Sequence, residues 1–200
     1  MDERVYSKEI VEFVTVGLEF CSRVEQCSES DRDDFILALT RILPLLYVKA
    51  SLLPTDEPEE DDDLANYVTE EQYEYIRNSV SVLLGKDDDY LEVFDADMAY
   101  SDAPIAASIS EGIADVYQDI RDFLEVYRYG NETLSRIAIY RCRENFATYW
   151  GQKLVNIMRP LHNLGYGNER NESDEYDAYG HEQHHHDCDD PLCHHHHHSS

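Results

Sequence analysis

The chain has 200 residues, 42% of them apolar, with 15 tyrosines, enough to bury one core of ordinary size and leave a tail. Its 43 acidic against 16 basic residues give a formal charge of −27, which repels phosphate backbones and anionic lipid and so argues against direct nucleic-acid or membrane-surface binding. The charged start Met1-Asp2-Glu3-Arg4, and the lack of any apolar run near the roughly 18 residues of a membrane span, leave neither signal peptide nor anchor and make the cytoplasm the expected compartment.

Apolar residues recur at three- and four-residue steps through Ile10, Phe13, Val14, Phe20, Cys21 and Val24, which predicts a first helix from about Tyr6 to Gln26. Cys21 and Cys27 then lie six residues apart on one helix, about 240° around its axis, so they face different ways and cannot bridge. These two and Cys142 read as small apolar filler. A second stretch (Phe35, Leu39, Ile42, Leu43, Leu46, Tyr47, Ala50) follows a Ser30-Asp31 capping signal, and Pro44 inside it predicts an interruption there. The acidic, proline-punctuated residues 55–63 read as a solvated connector. A third helix begins at Thr69, which with Gln72 makes a capping-box pattern, and runs through Tyr73, Ile76, Val80 and Leu83 to Gly85.

After a connection over 86–103, Ser101-Asp102-Ala103-Pro104 looks like the start of a fourth helix. Ile105, Ile109, Ile113, Val116, Ile120, Leu124 and Tyr127 form its apolar stripe, and Glu111, Asp115, Asp119 and Asp122 fall opposite, which predicts a solvated acidic side. Gly130-Asn131 closes it and caps a fifth helix, whose stripe from Leu134 to Leu164 drifts around the axis and predicts either a helix that wraps across two neighbours or a bend near Gly151. No strand-like alternation, phosphate loop or repeat is present. The expected fold is therefore all-α, an antiparallel bundle of four to five helices over residues 1–164. Residues 165–200, with nine acids, one base and almost no aliphatic side chains, are expected to be a disordered acidic His/Cys-rich tail.

Three segments, LPLLYVKASLLP (Leu43 to Pro54), DDDYLEVFDADMAYSDAPIAASISEGIADVYQDIRDF (Asp87 to Phe123) and ENFATYWGQKLVN (Glu144 to Asn156), together resemble a bacterial family, the domain of unknown function numbered 5063. The resemblance spans about residues 6 to 164 and implies a small bacterial helical domain to which no activity and no functional residues are assigned. The tail lies outside it.

Among candidate sites, the acids of the fourth helix lack the inward Glu and Glu-x-x-His motifs of a di-metal bundle. Asp87, Asp89, Asp95 and Asp97 lack the central Gly and closing Glu of a calcium loop. Asp95, Asp97, Tyr100, Ser101 and Asp102 mark a loop suited to a partner, or to an enzyme of unrecognised type, although capping explains Ser101 and Asp102 equally well. Tyr149, Trp150, Gln152 and His162 read as core packing on the last helix. His181-Glu182-x-x-His185 matches a zinc-protease pattern but follows Gly180 within a His-rich run, where such matches arise by composition.

In the tail, His184, His185, His186, Cys188, Cys193, His194, His195, His196, His197 and His198 gather borderline and soft ligands within a short segment. The four-residue spacing between Cys188 and Cys193 lets both thiolates reach one ion, and imidazoles can complete a site for Zn, Ni or Cu. The split histidine clusters with two cysteines are unlike a purification tag, so the ending is read as native. The expected function is a non-enzymatic interaction module for protein partners with a metal-binding tail. The main alternative is an acidic mimic that occupies the basic surface of a nucleic-acid-binding protein.

Overall fold

The computed structural model of the protein describes residues 5–59, 62–92 and 105–179. The chain forms two compact units, Met1–Tyr166 and Gly167–Ser200. The first holds α1 (Lys8–Glu25), α2 (Arg32–Ser51), α3 (Glu70–Leu84), a short antiparallel ladder of β1 (Asp89–Glu92) with β2 (Ile105–Ser108), α4 (Ile109–Tyr129), α5 (Glu132–Asn145) and the start of α6 (Gly151–Tyr179). Of the second unit, only the helical residues of α6 up to Tyr179 are described. The architecture is all-helical apart from the ladder, in agreement with the bundle expected from periodicity. No described helix is long and apolar enough to cross a membrane.

Side-chain caps set most helix starts. The Asp31 carboxylate accepts from the amides of Asp33 (2.9 Å) and Asp34 (3.2 Å), Thr69 Oγ1 from Gln72 (3.2 Å) and Asn131 Oδ1 from Leu134 (2.9 Å). Each satisfies donors that the first helical turn leaves orphaned. The reciprocal half of the expected capping box is not made, because Gln72 Nε2 donates to Tyr117 Oη instead (2.9 Å). Gly85 ends α3 at φ +60°, a conformation that disfavours a side chain.

Several expectations are corrected. α2 continues through Pro44 without interruption. Proline there forfeits one backbone hydrogen bond, but Leu39, Leu43, Leu46 and Ala50 bury the same side before and after it and hold the helix together. The fourth helix starts at Ile109, not at Pro104, and residues 105–108 are strand. The buried Asp88 carboxylate explains this, since it accepts from Ser110 N and Ser110 Oγ, both at 2.7 Å, while the Asp88 carbonyl accepts from Ile109 N at 2.9 Å. With Ser108 Oγ capping Glu111 N at 3.3 Å, the donors of the first turn are satisfied at that point of the chain. The irregularity expected near Gly151 is a π-helical turn at Phe146–Trp150. Cys21, Cys27 and Cys142 are free and buried, and Cys27 sits in a 3₁₀ turn beyond the end of α1.

α4 is the central element. It packs on α1, α3 and α5, and its Gly112 lets α6 approach so closely that an added Cβ would meet Ile157 Cγ2 at 2.4 Å. Ile113, Val116, Tyr117 and Ile120 of α4 join Phe13 and Phe20 of α1, Leu39 and Leu43 of α2 and Leu154 and Leu161 of α6 in one core. A helix with neighbours on this many sides leaves little of its circumference to water.

Candidate functional site

That placement overturns the solvated reading of the α4 acids. Asp115 is only 7% exposed and joins three helices: Tyr73 Oη of α3 donates to Oδ1 at 2.8 Å, and Lys153 Nζ of α6 lies 3.2 Å from Oδ2. Burial and then Asp115 hold the Tyr73 phenol protonated well above its ordinary range, and the same two causes push Tyr149 up to about 12. Asp119 accepts from Asn145 Nδ2 at 2.7 Å. Desolvation pushes Asp119 up to about 6, against the opposing pull of the Asn145 amide. Asp122 Oδ1 accepts from the backbone amides of Tyr67 and Val68, both at 2.7 Å, and so pins the connector that precedes α3. Glu111 alone of the four is exposed.

The connector is held a second time by Arg141, which donates to the Asp62 carbonyl at 2.8 Å. Two cavities open along it. One of about 220 Å³ is lined by Asp119, Asp122, Arg141, Cys142 and Asn145, and one of about 600 Å³ by Ser7, Glu9, Glu57, Arg136 and Tyr140. The carboxylates in the smaller cavity are those already engaged in tying α5 and the connector to α4. Among the described residues, no group of His, Cys, Asp and Glu is placed to hold a metal ion.

The residues singled out from sequence divide accordingly. His184, His185, His186, Cys188, Cys193 and His194 to His198 lie outside the described residues, as do Asp95, Asp97, Tyr100, Ser101 and Asp102. Of the polar-aromatic group on the last helix, Trp150 is core, with Nε1 donating to the Cys142 carbonyl at 3.2 Å. Tyr149, Gln152 and His162 are exposed, which corrects the core reading for those three. The helical step from Trp150 turns Gln152 and His162 away from the side that buries Leu154, Ile157 and Leu161, while Tyr149, nearly half exposed, sits at its edge beside Asp115.

Sequence reasoning missed a second feature, the outer side of α2 and α6. Arg41, Leu45, Val48 and Leu52 follow one another at three- and four-residue steps on the outward side of α2, and the three apolar ones remain 53%, 50% and 52% exposed. Val155, Arg159 and His162 do the same on α6. The two helices are neighbours: a Cβ at Gly165 would rest 3.4 Å from Ile36 and 3.5 Å from Leu37, and Tyr47 meets Phe146 edge-on at 5.0 Å. The signal that marks this face is the distribution of acids. Residues 35–55 and 145–168 contain neither Asp nor Glu, in a chain with 43 of them, and the fold brings these two stretches together.

An all-helical bundle with a central acid-bearing helix and one acid-free outer face defines the class of protein. The chain belongs to the family described as a domain of unknown function, DUF5063, which matches residues 4–167. It is similar to the crystal structure of protein BF1032 from Bacteroides fragilis, at 40% identity and a TM-score of 0.72, over 82% of this chain and 96% of that one. No curated protein matches the chain.

Proposed function

We propose that the protein is a non-enzymatic helical interaction module that binds a protein partner through the outer face of α2 and α6, and that its His/Cys tail binds Zn, Ni or Cu. The observation that carries the first part is the exposed stripe Leu45, Val48 and Leu52, flanked by Arg41 in a stretch, residues 35–55, that contains no carboxylate. Side chains of this type left half in water over three helical turns favour burial against another surface.

The untagged protein and its Val48→Glu variant, purified from the native cell, test the first part. A partner held by the parent and lost by the variant, whether a second copy of the chain or another protein, is the expected result, and an identical set of partners with an identical oligomeric state from both overturns it. For the tail, calorimetric titration of nickel and zinc into the full chain is compared with a full chain in which His184, His185 and His186 are Ala and Cys188 and Cys193 are Ser. Binding is expected to weaken in the substituted chain, and in the parent to weaken as pH falls below the imidazole pKa of about 6.5, because protons compete for the ligating forms. Equal affinity in both chains overturns the role of those five residues.

A further inference from the structure

Each copy of this chain carries −27, so two copies repel over most of their surfaces. The outer face of α2 and α6 is different in kind. Between Phe35 and Thr55, and between Asn145 and Asn168, no carboxylate is present. The acid that reaches α2 from its other neighbour, Glu12 of α1, is already neutralised by Lys49 at 2.7 Å. What this face offers instead is apolar: Leu45, Val48 and Leu52 on α2, and Val155, 46% exposed, on α6.

Two cations stand on the same face, and their state is informative. Most of the described lysines and arginines have an acid or a ring within reach, such as Arg32 with Asp87, Arg121 with Glu125 and Arg143 with Phe146. Arg41 and Arg159 are exposed and have no ion pair among the described residues. A basic partner, the sort that an acidic protein attracts from a distance, would meet these guanidiniums as like charges. A second acidic copy would meet an apolar strip with the guanidiniums at its rim, free to pair with exposed carboxylates outside the strip such as Asp34 in the first turn of α2.

We infer that this face is where two copies of the chain meet about a two-fold axis, α2 and α6 of one against α2 and α6 of the other. The inference rests on the reading of the face as an interaction surface and names its occupant. A two-fold contact is self-complementary, which an apolar stripe bordered by arginines, with an exposed acid such as Asp34 at the start of the same helix, satisfies. It also predicts an unusual salt response. Screening weakens the repulsion between two chains of −27 more than it weakens the few rim contacts, so the dimer tightens as salt is added.

Sedimentation velocity of the full chain across the micromolar range, at low and high sodium chloride, tests this. The expected result is a monomer–dimer equilibrium that tightens several-fold at high salt. Val48→Glu and Val155→Glu are each expected to give monomer with an unchanged far-ultraviolet helical spectrum. Val82→Glu, at a side chain of α3 that is 84% exposed, is expected to leave the dimer intact. Should Val48→Glu fail to fold, Val48→Ser serves, with a several-fold weaker dimer expected. A parent chain that stays monomeric at both salt concentrations, or a dimer that loosens with salt, overturns the two-fold contact. A monomeric parent whose co-purifying partner is still lost with Val48→Glu overturns only the self-association and leaves the interaction reading standing. A dimer unaffected by both glutamates overturns both.

Discussion

The acidic side of α4 and the acid-free side of α2 and α6 reverse what their compositions suggest. Charged residues on a helix normally face water, yet Asp115, Asp119 and Asp122 are each tied to another element, and the apolar Leu45, Val48 and Leu52 stand half in solvent. The difference lies in what surrounds each helix. α4 has α1, α3, α5 and α6 around it, so even its polar side meets protein, and a carboxylate there persists only with donors supplied. α2 packs along α1 and touches the α6 region on one flank, and its remaining side meets no described element. An inner acid is thereby a structural tie, and an outer leucine a candidate contact.

The largest effect that sharpens this contrast belongs to the fully buried side. Trp150 is completely inaccessible, packs at a tilt against Phe146 with ring centroids 4.8 Å apart, and donates its indole N–H to the Cys142 carbonyl. Trp150→Ala empties a large volume at the π turn and removes one of the donors to that carbonyl, so the loss is expected at about 3–5 kcal/mol. Urea denaturation followed by circular dichroism measures it. A loss below about 1 kcal/mol would mean that the region where α5 passes into α6 is not part of the cooperative core.

Much of this arrangement was legible in the sequence, and the omissions share one cause. Apolar periodicity and capping residues place α1, α2, α3 and α5 to within a few residues, because a stripe such as Leu39, Leu43, Leu46 and a cap such as Asp31, Thr69 or Asn131 act within one element. What failed were judgements that depend on other elements. The wheel position of Asp119 and Asp122 says which way they point from α4, but not that α5 and the connector cover them. Ser101 and Pro104 carry capping chemistry, yet α4 starts at Ile109 because Asp88, some twenty residues away in the chain, supplies the partner. The outer face was visible only as two gaps in the distribution of acids, and nothing local shows that residues 35–55 and 145–168 become neighbours.

A smaller effect tests the inner acids directly. Burial lifts Asp119 from its ordinary value of 3.8 to about 6 in the folded protein, so the folded state holds its proton more tightly than the unfolded chain. Stability from this group is fully present below pH 3.8, declines as pH rises toward about 6, and is gone above that. Asp119→Asn keeps an acceptor for Asn145 and removes the ionisation. At pH 7 the variant is expected to be more stable than the parent by about 1–2 kcal/mol, after allowance for solvent screening. At pH 3.5 the two are expected to agree, so the comparison is a pair of denaturation curves at two pH values. A variant weaker than the parent at pH 7 would mean that Asp119 is needed as a charge.

The smallest expected effect is the most discriminating, because it separates folding from association. Leu45→Ser and Val48→Ser remove apolar side chains of which about half is already in water, on the side of α2 away from Leu43 and Leu46. Half-exposed aliphatic groups contribute little to folding, so each substitution is expected to cost no more than about 0.5 kcal/mol, mainly through the lower helix preference of serine. The double variant is therefore expected to melt within a few degrees of the parent at a dilution where the parent is monomeric. At high concentration and high salt the parent gains stability from association and the double variant does not, so the two melting curves separate as the protein is concentrated. A double variant that loses several kilocalories per mole even at low concentration would show that Leu45 and Val48 belong to the core, and the contrast between the two regions would dissolve.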